Sequence, residues 1–405
     1  MKILVVCQYF YPEQFRVNDI CFELVRQGHD VTVLTGLPNY PSGIVNERYK
    51  GFKNRNEKVN GVKVVRAWLL GRGEGIKKLA LNYLSFAISS SFKALFIKKD
   101  FDLILVYQLS PVTMALPGVL LKKITKKPLI LYCFDLWPES IASAGISSFS
   151  RIYSILLKLS KWIYRNADQI FISSRLFEEY FNHTLDVHEN ITHLPVYAED
   201  LFENIKSKKK TDEQINLVFA GNIGEMQSVE TIIYAAKELI DDQSIKFHIV
   251  GGGSSKTKCE DLVNELELNN VIFHGQYPVT EMPRFYEMAD AFLVTLKANK
   301  AISYTLPNKV QSYMAAGKPV IGSIDGETQI VINEANCGYC SSAENPIELA
   351  NNIRKFAKEK DNHYKFGQNS RKYYDDNFSK NKYIDRLNNL LKKISQDGDA
   401  KFVQK

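Results

Sequence analysis

LVFAGNIGEMQ (217–227), FHIVGGG (247–253) and TLPNKVQSYMAAGKPVIG (305–322) decide how this chain is read. The first is an apolar run that turns through Gly221 and Gly224 into a helical period, the pattern of a strand buried on both faces. The second repeats the strand-to-glycine pattern through Gly251, Gly252 and Gly253. The third starts a helix beside Pro307 and sets Asn308 and Lys309 in its first turn. Strand ends and a helix start aimed at one crevice suit a phosphate-bearing ligand, because helix N-termini carry free N–H groups and partial positive charge. MKILVVCQYF (1–10) opens another strand-led unit, so two α/β domains are expected to face each other across a cleft.

The rest of the chain extends this pattern. In the first half strands are expected at Lys2–Cys7, Asp30–Thr35, Val62–Arg66, Leu103–Tyr107, Leu129–Phe134 and Gln169–Ser173. Helices are expected at Val17–Gln27, Ile76–Lys98, Val112–Lys123, Ser148–Arg165 and Ser174–Phe181. Short apolar runs separated by helical periods argue for parallel sheets with right-handed crossovers. The polar, charged stretch 193–214 is the best linker candidate. Strands and helices alternate again from Ile215 to about Phe356. Asn377–Ile394 reads as an amphipathic helix with no strand after it, and the tail beyond Ser395 as disordered. At 405 residues, two domains are the default.

The net charge of +7 is small, but its location is informative. Nine lysines stand against Asp100 and Asp102 between Ile76 and Lys127, which supplies the whole excess. A local basic patch of this kind points to an anionic surface, membrane or polyphosphate, and away from a nucleic-acid duplex. Cys7, Cys21, Cys133, Cys259, Cys337 and Cys340 lie in apolar contexts and read as free thiols of a reducing cytoplasm. No signal peptide is expected, because the apolar stretch Ile3–Cys7 is too short, and no uncharged apolar run approaches the ~18–20 residues of a spanning helix. No His/Cys/Asp cluster has ligand spacing, so no metal is expected.

Taken together, residues 2–43, YCFDLWPES (132–140), FAGNIGEMQSVE (219–230), IVGGGSS (249–255), residues 271–294 and residues 305–322 resemble family 4 of the glycosyltransferases, in that family's order. The resemblance is nearest the bacterial surface-polysaccharide branch that includes UDP-N-acetyl-L-fucosamine transferases. It implies the GT-B architecture: an α/β fold of two facing Rossmann-like domains with a C-terminal helix. On that reading residues 1–197 bind the acceptor, 198–214 link, 215–376 bind a UDP-sugar, and 377–405 form a helix and tail. The donor is a substrate and no cofactor is implied.

The chain departs from the family at several positions. The usual Glu-x7-Glu pair falls on Tyr304 and Ser312, and the usual Arg and Lys of the first glycine loop fall on Asn222 and Gln227. The diphosphate would then rely on the backbone of Gly221, Gly224, Gly251 and Gly252 and on Lys309, through charge-assisted bonds of ~1.5–3 kcal/mol each. Otherwise Lys309 is a solvated surface lysine. The loop of Gln276 and Tyr277 meets the nucleobase in the family, although Tyr277 reads equally well as a packed aromatic. In the first domain Asp135 occupies a position that often carries His and would take the proton of an incoming hydroxyl, with Glu139 as a second acid. The alternative is that Asp135 caps the helix begun at Trp137-Pro138-Glu139. Gln14, Phe15 and Arg16 replace family glycines in the first loop, and Arg16 would contact acceptor or phosphate.

Residues 76–99 show a polar stripe of Lys78, Asn82, Ser85, Ser89 and Lys93 among apolar faces. The segment reads either as a headgroup-layer helix or as a core helix with one wet edge. The expected activity is metal-independent transfer from a UDP-sugar, with N-acetyl-L-fucosamine as the donor guess. The acceptor would be a lipid-linked saccharide of O-antigen or capsule assembly, handled at the inner face of the cell membrane. Retention and inversion both stay open. A UDP-sugar 2-epimerase of the same architecture and a catalytically inactive UDP-sugar-binding partner subunit are the rival readings.

Overall fold

The computed structural model describes residues 1–142, 147, 149–188, 190–205 and 214–403, with the backbone alone for 142 and 398–403. Most of the expected linker (206–213) and the expected helix start at Ser148 lie outside the described residues. Two compact units form, Met1–Leu194 with Ile384–Lys405, and Pro195–Tyr383.

The first unit is built on β1 (Lys2–Val6), β2 (Asp30–Thr35), β3 (Asn56–Val59), β4 (Val62–Arg66), β5 (Leu103–Gln108), β6 (Leu129–Cys133), β7 (Gln169–Ile172) and β8 (Ile191–His193). Their order is β3-β4-β2-β1-β5-β6-β7-β8. All neighbours run parallel except β3 and β4. β1, β5 and β6 are almost wholly buried, which is why their sequences are apolar apart from Lys2 and Gln108 at strand ends. The chain order reverses between β1 and β5, where Ile3 pairs with Val31 on one side and Leu103 on the other. That switch point is where an open parallel sheet leaves a crevice at its carboxyl edge. The edge strand β3 was not expected, because NEKV has no apolar alternation; it is held as the partner of β4.

The second unit contains β9 (Ile215–Ala220), β10 (Ile245–Val250), β11 (Val271–Gly275), β12 (Ala291–Thr295), β13 (Val320–Ser323) and β14 (Gly338–Ser341). They are ordered β11-β10-β9-β12-β13-β14 and are parallel throughout. Here the switch lies between β9 and β12, whose pairing is confined to Leu217–Ala291 and Val218–Phe292. Past that point the strands part, and the Tyr313 hydroxyl takes the Ala220 N–H at 3.0 Å and donates to the Ala220 carbonyl at 2.9 Å. The Tyr313 ring stacks on Phe292 at 3.9 Å, which fixes the helix Asn308–Ala315 over the opening.

Two segments correct the sequence reading. Residues 198–205, expected as linker, begin the second unit, and Ala198 and Phe202 are buried in its core. The tail expected to be disordered beyond Ser395 continues the helix Lys380–Val403. From Ile384 this helix belongs to the first unit, where His29 Nε2 meets Asn388 Oδ1 at 2.8 Å. Leu387 and Leu391 supply its buried stripe, and an amphipathic helix gains its order from such packing.

Candidate functional site

At the carboxyl edge of the second sheet three loops nest against one another. The Gly221 N–H donates to Val250 O at 2.9 Å, Ile223 N–H to Gly252 O at 2.8 Å, and Gly251 N–H to Gly275 O at 2.8 Å. Gly251 has φ +151°, and a Cβ there would fall 1.8 Å from the Gly221 carbonyl oxygen, so only glycine permits the approach. The amide of Gln227 closes the first loop, taking Asn222 Nδ2 at 3.1 Å and Gly224 N–H at 3.2 Å. Gln276 lies over Gly252, within 3.0 Å of where a Cβ would stand. Tyr277 packs on Phe285 at 5.1 Å under the Arg284 guanidinium at 4.2 Å, which fits the packed-aromatic reading.

Lys309 enters this nest from the first turn of the helix Asn308–Ala315. Its Nζ stands 3.9 Å from the centre of the Phe219 ring and 2.9 Å from where a Gly221 Cβ would lie. The ammonium is withdrawn from solvent and has no hydrogen-bond partner. Burial alone pushes its pKa down to about 7, with no carboxylate offsetting the loss of hydration. The solvated-lysine alternative therefore fails. Asn308 is exposed at the helix start, and Tyr304 is buried.

Neither of the two family acids is present, but one acid reaches the second position from elsewhere. The Ser312 hydroxyl donates to Glu199 Oε2 at 3.4 Å. Glu199 comes from the segment expected as linker, and no spacing rule in the helix sequence would have found it.

In the first unit the crevice between β1 and β5 is lined by polar groups. Asp135 follows β6, and its Oδ2 accepts the Ser110 N–H at 3.0 Å; the Ser110 and Ser140 hydroxyls are 3.0 Å apart. This bond runs to the loop after β5 and not to the start of the short helix Glu139–Ala142. Burial raises its pKa above the usual aspartate value, and the Ser110 bonds only partly offset this. Glu139 is taken up by the hydroxyl of Tyr153, apart from this pair of serines.

Several neighbours were not singled out from the sequence. Arg72 and Asp135 both act on Tyr83, and Arg72 also reaches the Tyr9 hydroxyl. Glu13 is buried, accepts the Asn39 and Tyr40 N–H groups at 2.8 and 2.7 Å, and is pushed by burial up to about 7. Gln14 is exposed, Phe15 stacks on Tyr9 at 5.0 Å, and Arg16 opens the helix Arg16–Arg26.

The two halves correspond to two family models, "Glycosyl transferase 4-like domain" over residues 14–196 and "Glycosyl transferases group 1" over residues 201–373. The chain is a family 4 glycosyltransferase of GT-B architecture. It is similar to the putative colanic acid biosynthesis glycosyl transferase WcaI of Escherichia coli (strain K12), 26% identical over 349 residues, 82% of this chain and 85% of that protein. In fold it is similar to sucrose-phosphate synthase from Thermosynechococcus elongatus, with a TM-score of 0.74, 17% identity and coverage of 97% of this chain and 98% of that one. Anabaena HepE, solved in complex with UDP, has a TM-score of 0.73 and 14% identity, covering 97% of this chain and 100% of that one.

One expected feature of this glycosyltransferase is turned around. In the helix Ile76–Leu95 the middle of the polar stripe faces the protein, while Lys78 stays exposed: Asn82 Nδ2 donates to Leu70 O at 2.5 Å, Ser85 Oγ accepts Leu70 N–H at 3.0 Å, and Ser89 donates to Trp68 O. The outward face is apolar, with Leu84, Ile88 and Phe92 each more than half exposed. The basic patch is also less free than its composition implied, since Lys98 pairs with Asp100 and Lys122 with Asp168, both at 2.8 Å. Among the described residues no helix is long and apolar enough to cross a membrane, and no cluster of His, Cys, Asp or Glu is placed to hold a metal.

Proposed function

We propose that this glycosyltransferase takes a sugar from a UDP-sugar bound by the second unit and passes it to a lipid-linked saccharide bound by the first, in surface-polysaccharide assembly. The observation that carries the reading is the buried, unpartnered Lys309 ammonium among three glycine loops and a helix start. A buried cation without a partner is costly, and a diphosphate would supply the missing charge together with acceptors for free N–H groups. As the bond from the sugar's anomeric carbon to the diphosphate oxygen breaks, Lys309 would stabilise the negative charge left on UDP. The new bond forms to the acceptor hydroxyl, whose proton Asp135 would take; burial raises its pKa and so makes the carboxylate a stronger base than a free aspartate. Lys309 and the helix start would do this without a metal.

The outward apolar face of Ile76–Leu95, with Lys77 and Lys78 at its start, supports peripheral attachment to an anionic membrane surface. It also favours a transferase over an epimerase, whose substrate is wholly soluble. N-acetyl-L-fucosamine remains the proposed sugar, on the resemblance of the sequence alone. Incubating the purified chain with membrane extract and a panel of radiolabelled UDP-sugars tests the reading. Label should enter the lipid-extractable fraction with one donor; label released as free sugar regardless of membranes would refute it.

A further inference from the structure

A cavity of about 330 Å³ lies in the first unit between the helices Ile76–Leu95 and Arg151–Arg165. This is at the lower end of the range for small-molecule sites, ~300–1,000 Å³. Among the described residues none that lines it is charged. Ile76, Leu84 and Ile152 form its outer part and are each more than half exposed, so it opens onto the outward apolar face. Its walls are mostly apolar, with a few polar groups among them. Ser110 and Ser140 line it, and Ser110 is the residue whose N–H holds the Asp135 carboxylate. Tyr83 lines it as well and stands within the field of Arg72. The Trp137 indole N–H, on a buried ring that also lines the cavity, has no partner.

We infer that this groove holds the first stretch of the acceptor lipid's hydrocarbon chain, with the saccharide at Asp135 and the anionic link between them near Arg72. The inference rests on the lipid-linked acceptor reading above. The groove is an apolar channel that reaches Ser110, the residue bonded to Asp135, and opens onto an apolar surface, which suits a lipid-linked sugar taken head to tail. A free saccharide has no use for such walls. A chain that stayed in the bilayer up to its headgroup would leave them exposed to water, at ~25 cal/mol per Å² of apolar surface. The arrangement makes the enzyme read the lipid as part of its substrate instead of using the membrane only as a place to stand.

The test uses the full chain and decyl phosphate below its micelle concentration as the probe, with methyl phosphate as control, followed by calorimetry. Ala80 lines the groove and is exposed, so Ala80→Trp fills the groove without disturbing the core. Decyl phosphate should bind at least tenfold more tightly than methyl phosphate to the natural chain, and Ala80→Trp should erase that difference. Phe92→Ser, on the same outward stripe but outside the groove, should keep it. Equal affinity for the two phosphates in the natural chain, or the same preference in Ala80→Trp, would overturn the inference. Failure of the acceptor reading looks different: decyl phosphate would still bind through the groove, while no lipid-linked saccharide accepted sugar.

Discussion

If Lys309 waits for a diphosphate, UDP binding must be coupled to proton uptake. In the unliganded protein its pKa is lowered to about 7, so at pH 8 roughly a tenth of the molecules carry the charge. Two phosphates beside the ammonium should restore a value near ~10.4, and binding at pH 8 should then take up about 0.9 proton. The sign follows from the direction of the shift. A lowered lysine is charged below about 7 and loses its charge as pH rises through that value, so affinity is greatest below about 7 and falls above it. The fall approaches tenfold per pH unit, or roughly fifty-fold between pH 7 and pH 9, a window in which the terminal phosphate of UDP (pKa ~6) is already ionised. Calorimetry in two buffers of different ionisation enthalpy counts the protons directly. Lys309→Met should weaken UDP at pH 7 by ~1.5–3 kcal/mol, flatten the pH dependence and leave uridine affinity unchanged. Proton uptake near zero in the natural chain, or the same slope in Lys309→Met, would refute the reasoning. The unliganded protein offers a second readout: its stability should rise from about pH 7 upward, because the unfolded chain binds a proton there that the native one does not.

Asp135→Asn should lower the transfer rate ~10²–10⁴-fold with UDP affinity little changed, and the natural enzyme's rate should fall on acidification at a pH above the usual aspartate range. Steady-state kinetics across pH, with calorimetry on the variant, checks both. Ile88→Asp with Phe92→Asp should cut partitioning onto acidic vesicles more than tenfold, since each side chain is over half exposed and burying that surface is worth ~1–2 kcal/mol. Lys77→Gln with Lys78→Gln should give a smaller loss that fades in high salt; flotation assays separate the two. Gly251→Ala should destabilise the protein by more than ~3 kcal/mol in thermal melts, through its clash with the Gly221 carbonyl. Gly28→Ala, at φ +83° with open space around it, should cost only ~1 kcal/mol.

What was legible in the sequence is what local chemistry dictates. β1, β5, β9 and β10 are mostly apolar because parallel strands are covered on both faces, and glycines end β9 and β10 because their loops touch backbone to backbone. For Lys309 the sequence left two readings, a diphosphate contact and a solvated surface lysine, and only the fold shows its ammonium withdrawn from solvent. What was not legible depends on partners distant in the chain. NEKV becomes β3 only because β4 lies beside it. The helix Lys360–Asn377 is polar over most of its length, yet it buries Phe366, Ser370 and Tyr374, and the Tyr374 hydroxyl ties Ala198 N–H and Glu203.

The helix Ile76–Leu95 shows the limit most clearly. Periodicity found its polar stripe but could not tell which way the stripe faces, because that depends on whether another segment offers hydrogen bonds. Residues 68–70 do, and the hydrogen bonds of Asn82, Ser85 and Ser89 to them turn the apolar residues outward. The same applies to Glu199. The family places an acid at the position of Ser312; here that position donates a hydrogen bond to an acid from 113 residues upstream. Reading the helix alone gives a missing carboxylate, which is the main support for an inactive partner subunit. A carboxylate beside Ser312 weakens that support, although Tyr304 leaves the first position without an acid, and the match of both halves to glycosyltransferase models weighs further against it.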